Sequence, residues 1–358
     1  MRNKTIDFLR GIAILLTLFR HFGYSGTFGL AKKIGWIGVE LFFVLSGFLV
    51  SGLIFDEYEK SKKFDGKLFL IRRGFKIYPG FWALILCSIL YQYLFFGNVY
   101  WDFALRQLFF IQNYFPKSDH TWSLAIEEHF YFLIVILFLL IIKYSKNPSK
   151  IILTGSIMII IYGIAAKAAM FFLYPEFSTH THLFPTHLRI DSLIIGLLIA
   201  HISRKKPEII VNIMRHKKIM YVFVAMGLSL PFIWDIDQYP SQLYLSSFGL
   251  SAISISFGLL LILLLNNKNF ERQVSKILGN SIFNTIAKIG FYSYSIYLWH
   301  LMVKTIMYNF LWLQGNTLNG YIVFVIYMIV TIGFGIIVGR LIEIPFLKLR
   351  ERYFPKKA

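Results

Sequence analysis

Apolar runs long enough to be membrane helices recur along almost the whole chain, each closed off by a short polar stretch. A helix needs about 20 apolar residues to cross the hydrocarbon core of a bilayer. On that template the pattern predicts ten helices, near residues 6–23, 35–55, 78–96, 121–143, 150–174, 188–203, 218–234, 246–265, 286–312 and 319–345. The stretch WDFALRQLFFIQNYF, residues 101–115, is amphipathic and is expected to lie along the membrane interface between the third and fourth helices. The expected fold is therefore all-α and polytopic, as one membrane domain over residues 1–358, without a soluble domain, long linker or internal repeat.

Composition agrees with this pattern and charge adds orientation. At 57% hydrophobic residues, 18% aromatic residues and a mean hydropathy of +0.62, the chain is too apolar for a soluble domain. Its formal charge of +19 would suit nucleic acid, but the basic residues fall in short loops between apolar spans, where they report topology and contact with anionic lipid. Alternate loops divide them unevenly. The N-terminus, 56–77, 143–150, 204–218, 266–288 and the C-terminal tail hold 27 Lys and Arg, whereas the opposite loops hold four. Both termini are expected to be cytoplasmic. The single cysteine, Cys87, lies within an apolar span, so neither a disulfide framework nor a thiol-rich metal site is expected. The first span is no cleavable signal peptide, because it holds Arg20 and His21 and has no small-residue cleavage site.

That first span, TIDFLRGIAILLTLFRHF, also carries Asp7 and Arg10. Charge inside a membrane is expensive and points to function. Eleven positions of helix bring His21 back to within ~20° of Arg10 and roughly 16 Å along the axis. One helix face thus presents a cation near the inner surface and an imidazole near the outer one. Helix direction sets Glu40, Glu127, Glu128, Arg189 and Asp191 in the outer layer with His21, and Arg72, Arg73 and Lys76, just ahead of the third helix, in the inner layer with Arg10. An imidazole beside a carboxylate suits general-base activation of a hydroxyl. A cluster of arginines suits a phosphorylated donor. The ~16 Å between the layers, from helical rise, is comparable to an extended pantetheine arm, although spacing alone does not choose acyl-coenzyme A.

Six segments together resemble acyltransferase family 3, the bacterial multi-pass membrane O-acyltransferases. They are IDFLRGIAILL followed by His21, ELFFVLSGFLVSG (40–52), the RR-x-x-K-I-Y-P run (72–79), HTWSLAIEEHFYFL (120–133), LRIDSLIIG (188–196) and YSIYLWH (294–300). They cover nearly the whole chain in family order. The resemblance implies ten core helices, a cytoplasmic acetyl-CoA donor, and an acceptor hydroxyl on a sugar of a surface polysaccharide such as a lipopolysaccharide O-antigen or capsule. It implies that Arg10 and His21 are essential, with His21 catalytic and the arginine-rich run holding the donor. It places the protein in a bacterial inner membrane. Lys76 where arginine is usual, Arg20 before His21 where an apolar residue is usual, and His129 where glutamine is common depart from the family pattern. No appended extracellular esterase-like domain is expected.

The site expected is then His21 assisted by Glu127 or Glu128, a donor held by Arg10, Arg72, Arg73 and Lys76, and an acceptor held by Trp122, Arg189, Asp191 and His300. Each position has a plainer reading beside it. Arg72 and Arg73 suit ordinary inside-loop charges, Arg189 and Asp191 a helix-end ion pair, and Glu40 a helix cap. His300, in mid-membrane, must hydrogen-bond or line a cavity. His180, His182 and His187 read as solvated loop residues, since no acidic or thiol partner has metal-site spacing. Ser46 and the Gly335-x-x-x-Gly339 pair read as small residues for close helix packing. A transporter or flippase of a lipid-linked glycan is the competing function, though the repeated halves common in transporters are missing.

Overall fold

The computed structural model describes residues 3–22, 29–116, 120–174, 176–238, 241–309 and 319–355, and these are helical with no strand among them. The long helices in chain order are α1 (Lys4–His21), α2 (Ile37–Ser61), α3 (Gly66–Phe96), α4 (Trp122–Tyr144), α5 (Pro148–Leu173) and α6 (Thr186–Lys205). They continue with α7 (Lys217–Ile233), α8 (Leu250–Leu265), α9 (Ser293–Met307) and α10 (Gly320–Val338). Shorter helices flank them, including Trp101–Leu108 in the stretch expected at the interface and Asn280–Phe291 just before α9.

Seven described helical segments are long and apolar enough to cross a membrane. The other three expected spans fall short for identifiable reasons. α1 carries Lys4, Asp7, Arg10 and Arg20 in 18 residues, α7 has 17 residues, and the ninth span is broken at Tyr292 into helices of 12 and 15 residues.

Local signals explain several boundaries. Asn3 caps α1 by accepting from the amide of Ile6 at 3.3 Å, and Asp7 lies in the positive first turn. Asp65 caps α3 through the amide of Leu68 at 3.0 Å, and α3 ends on Gly97 at φ 65°, the left-handed stop that glycine adopts easily. This cap corrects the expected start near residue 78. α3 runs unbroken through Pro79, so Arg72, Arg73 and Lys76 project from a helix, not from a loop ahead of one.

Buried apolar residues form one cluster among α2, α3, α4 and α6, a second among α1, α2, α6 and α8, and a third among α1, α9 and α10. Glycines set the closest crossings. Gly47 of α2 lies against the carbonyl of Leu193 in α6, and Gly196 of α6 lies against the carbonyl of Val44 in α2. Gly11 and Gly290 do the same where α1 meets Asn280–Phe291. Gly335 and Gly339 press α10 onto Ile296 and Tyr292, so this pair does serve close packing.

Gly47→Ala and Gly196→Ala drive a methyl into a facing backbone carbonyl, and each should lower the melting temperature of the detergent-solubilised protein or prevent its recovery. Gly155→Ala in α5 meets open space. It should leave the melting temperature unchanged or raise stability by up to about 1 kcal/mol.

Candidate active site

Two cavities meet end to end inside the bundle. The inner one, about 280 Å³, is lined by Arg10 of α1, Ser46 of α2, Arg73 and Lys76 of α3, and Glu127 and Tyr131 of α4, with apolar residues of α2 between them. The outer one, about 300 Å³, is lined by Arg20 and His21 of α1, Trp122 of α4, Phe184, Arg189 of α6 and Asp237. Val39 and Tyr297 line both. Tyr297 is held in that shared wall at its hydroxyl, which donates to the carbonyl of His120 at 2.6 Å and accepts from Ser123 at 2.6 Å.

Among the described residues α1 is the one helix that brings basic side chains to both chambers, Arg10 to the inner and Arg20 with the imidazole of His21 to the outer. His21 Nδ1 lies 3.1 Å from the carbonyl oxygen of Thr17 and 3.1 Å from His300 Nε2. His300 is wholly buried, and its Nδ1 donates to the carbonyl of Tyr297 at 2.5 Å. His120 packs edge-on against the His300 ring, with centroids 4.6 Å apart, and its Nε2 lies 3.0 Å from the carbonyl of Leu298. Sequence reasoning put His300 at a cavity wall and did not single out His120. The structure sets His300 behind His21, away from both cavities.

The carboxylates lie elsewhere than expected. Glu127 faces the inner cavity, where it accepts from Tyr131 at 2.6 Å, and Tyr131 is in turn 2.8 Å from Ser46. Glu128 accepts from Tyr78 at 3.0 Å. Neither is bonded to His21, because both sit more than one turn inward from Trp122, at the depth of Arg73 and Lys76. The inner charges also divide. Arg73 lines the cavity, stacks 5.1 Å over the Tyr131 ring and leaves a buried Nε without a partner. Arg72, 100° away around the helix, points to the C-terminal helix, where it meets Glu351 at 2.8 Å and the carbonyl of Phe354.

Arg189 and Asp191 are both buried, but they do not pair with each other. Two positions turn a helix by 200°, so they face opposite neighbours. Arg189 bonds Glu40 of α2, whose other oxygen accepts from Ser192 at 3.0 Å and Ser254 at 2.9 Å. Glu40 is therefore an ion-pair partner and not a helix cap. Asp191 pairs with Lys167 of α5 at 2.5 Å and accepts from Ser251 at 2.5 Å. Arg189 still reaches the outer cavity, 5.5 Å over the Trp122 ring, whereas Asp191 joins helices outside it. Trp122 stacks on Phe184 with centroids 4.5 Å apart, giving the outer cavity a flat aromatic wall.

Of the outer loop histidines, His187 is exposed and His180 partly so, as expected, but His182 is not. His182 is buried, bonded at Nε2 to the carbonyl of Tyr174 at 3.1 Å and packed between Phe171 and Phe177. Among the described residues no three His, Cys, Asp or Glu side chains converge to hold a metal. Arg20 forks onto both oxygens of Asp237 at 2.7 Å, which ties the loop after α7 to α1 at the outer cavity.

A family model described as an acyltransferase domain matches residues 3–340. The chain is 28% identical to a Staphylococcus aureus (strain MRSA252) protein named "Putative O-acetyltransferase", over 98% of this chain and 59% of that protein. It is 27% identical to the peptidoglycan O-acetyltransferase OatA of Listeria monocytogenes, over 84% of this chain and 49% of that protein. The chain thus spans between about half and three-fifths of the length of these relatives. No solved structure matches it.

Two measurements probe the buried and the surface pair. Arg189→Met leaves Glu40 charged and buried, so it should cost about 3–5 kcal/mol, and adding Glu40→Gln should recover part of that in thermal unfolding. At the surface, the hydrogen bonds from Arg20 hold the Asp237 carboxyl below its usual range. A carboxyl depressed by folding stabilises above its unfolded pKa and loses that contribution as pH falls through its folded value. The pair is partly exposed and worth about 0.2–1 kcal/mol, so Asp237→Asn should slightly lower stability at neutral pH and reduce its fall with acid.

Proposed function

The chain belongs to the acyltransferase family whose model covers residues 3–340, and from that premise we propose that it is a membrane O-acetyltransferase. It takes acetyl from cytoplasmic acetyl-CoA and delivers it to a sugar hydroxyl of a cell-surface polysaccharide. The observation that carries this reading is that α1 presents Arg10 to one cavity and His21 to the next, across a shared wall of Val39 and Tyr297. In this proposal all ten long helices cross a bacterial cytoplasmic membrane. The basic loops and both termini face the cytoplasm in this proposal, a topology that the 27-to-four division of Lys and Arg supports. A protein that consumes acetyl-CoA is distinguished in this way from a glycan flippase.

The residues present suit the donor. Arg10, Arg73 and Lys76 supply positive charge for phosphate or for a developing thioester oxyanion, and Arg73 has a buried donor to spare. At about 280 Å³ the cavity suits the acetyl-pantetheine end, with the nucleotide remaining at its mouth. Glu127 belongs to this donor chamber, where it offsets the cations and orients Tyr131 and Ser46. Arg72 is engaged with the C-terminal helix and acts at most on the nucleotide end.

On the outer side Trp122 and Phe184 offer an aromatic face to a pyranose ring, beside Arg189. His21, with a proton on Nδ1, accepts the sugar hydroxyl proton at Nε2. With the acetyl end of the donor brought past the Val39 and Tyr297 wall, the freed oxygen attacks the thioester carbonyl, an ester C–O bond forms, the C–S bond breaks, and the thiolate leaves with the proton that His21 returns. The printed name of the Listeria relative directs attention to peptidoglycan as an acceptor beside lipopolysaccharide O-antigen and capsule.

The test is NMR of the host's surface glycans with the gene present, deleted, and restored as wild type or His21→Ala. An O-acetyl signal that vanishes on deletion and returns only with wild type supports the reading and identifies the acceptor. Full acetylation by His21→Ala would sink it.

A further inference from the structure

The group that shares Nδ1 of His21 is another imidazole, and the tautomer of that imidazole is determined by geometry. His300 Nδ1 faces the carbonyl oxygen of Tyr297, which can only accept, so Nδ1 carries the proton. The neutral ring then has a lone pair on Nε2, and the group facing it is His21 Nδ1 at 3.1 Å. The carbonyl of Thr17, 3.1 Å from the same His21 nitrogen, makes the same demand. Two independent acceptors therefore require the proton of His21 on Nδ1 and leave its Nε2 free.

We propose that His300 is a positioning residue that fixes the tautomer and direction of His21, a role that rests on His21 being the base. The two acceptors are not equivalent. The Thr17 carbonyl belongs to the helix that carries His21 and is four residues away, so it travels with that helix. His300 comes from α9 and ties the ring to a second element that also carries Tyr297 of the shared wall. His300 is itself held from behind. His120 packs on it with rings 4.6 Å apart, and Nε2 of His120 donates to the carbonyl of Leu298, also in α9. An apolar packing residue would fill the same space without holding the His21 proton. The support differs from a carboxylate in that it places no negative charge beside the imidazolium formed during proton transfer. His300 keeps its own proton throughout, because its Nδ1–H stays on the Tyr297 carbonyl.

The test compares His300→Gln, whose amide oxygen can reach the Nε2 position, with His300→Met, which fills the volume and accepts no such bond. Purified protein in lipid vesicles is given radiolabelled acetyl-CoA and the de-O-acetylated form of the host glycan that the protein acetylates, and kcat, KM for acetyl-CoA and the melting temperature are read. His300→Met should lose kcat by roughly 100-fold, the scale of a disabled general base, with KM changed less than twofold. His300→Gln should stay within about tenfold of wild type on the same scale. Activity of His300→Met within threefold of wild type overturns the proposal, as does an equal loss in both variants with melting unchanged. If His300→Met does not fold, His300→Gln decides alone: near wild-type kcat supports the role, and a folded variant as inactive as His21→Ala overturns it. Full activity of His21→Ala in the same assay refutes the general-base reading itself and is read separately from the comparison at His300.

Discussion

Charge taken out of water must be answered by charge, and in this bundle that requirement decides how the central helix sits. α6 carries Arg189 on one side and Asp191 on the other, and each finds its opposite on a different neighbour, Glu40 of α2 and Lys167 of α5. A lone buried ion of this kind costs several kcal/mol. Rotating or sliding α6 would break both pairs and leave four of them, so its register against α2 and α5 is tightly specified. The glycine crossing of Gly47 and Gly196 then brings α2 and α6 into backbone contact along the same seam. With α2 in place, Val39 and Ser46 are carried to the two chambers that α1 serves. Ion pairing, close packing and the placement of reactive groups follow from one arrangement.

The histidine side of the structure relies on directional bonds instead. Three imidazoles sit in sequence, and a backbone carbonyl lies at hydrogen-bond distance from a nitrogen of each. Main-chain acceptors in helices cannot wander or change charge, so the proton positions are preset. For the base role proposed for His21, that is a low-cost support in a buried setting where a carboxylate would itself need a counter-ion.

Much of this architecture was legible in the chain. Apolar run length located the helices, and a rotation of ~20° over eleven residues placed Arg10 and His21 on one face of α1. Where sequence reasoning failed, it failed at tertiary partners. Glu127 and Glu128 were assigned to the outer layer because their helix begins there, yet little more than one turn inward was enough to bring Glu127 to the inner chamber and Glu128 to Tyr78 of α3. Arg72 and Arg73 are adjacent, and only the unbroken helix through Pro79 shows that they diverge. The Lys167–Asp191 pair had a usable signal: opposite charges at matching depth in consecutive spans. The stacking of His120 on His300 had none, since 180 positions separate them and no periodicity links the two.

The shared wall has a consequence for the cell as a whole. A protein hollowed from both ends, with titratable groups in each hollow, is close to being a wire for protons. Val39 is apolar, and the Tyr297 hydroxyl is occupied by Ser123 and the His120 carbonyl, so neither of the two described residues common to both hollows offers a free group on which a water chain could join them. In the topology proposed above, where α1 crosses a cytoplasmic membrane, that thin septum separates a working enzyme from a leak in the proton gradient.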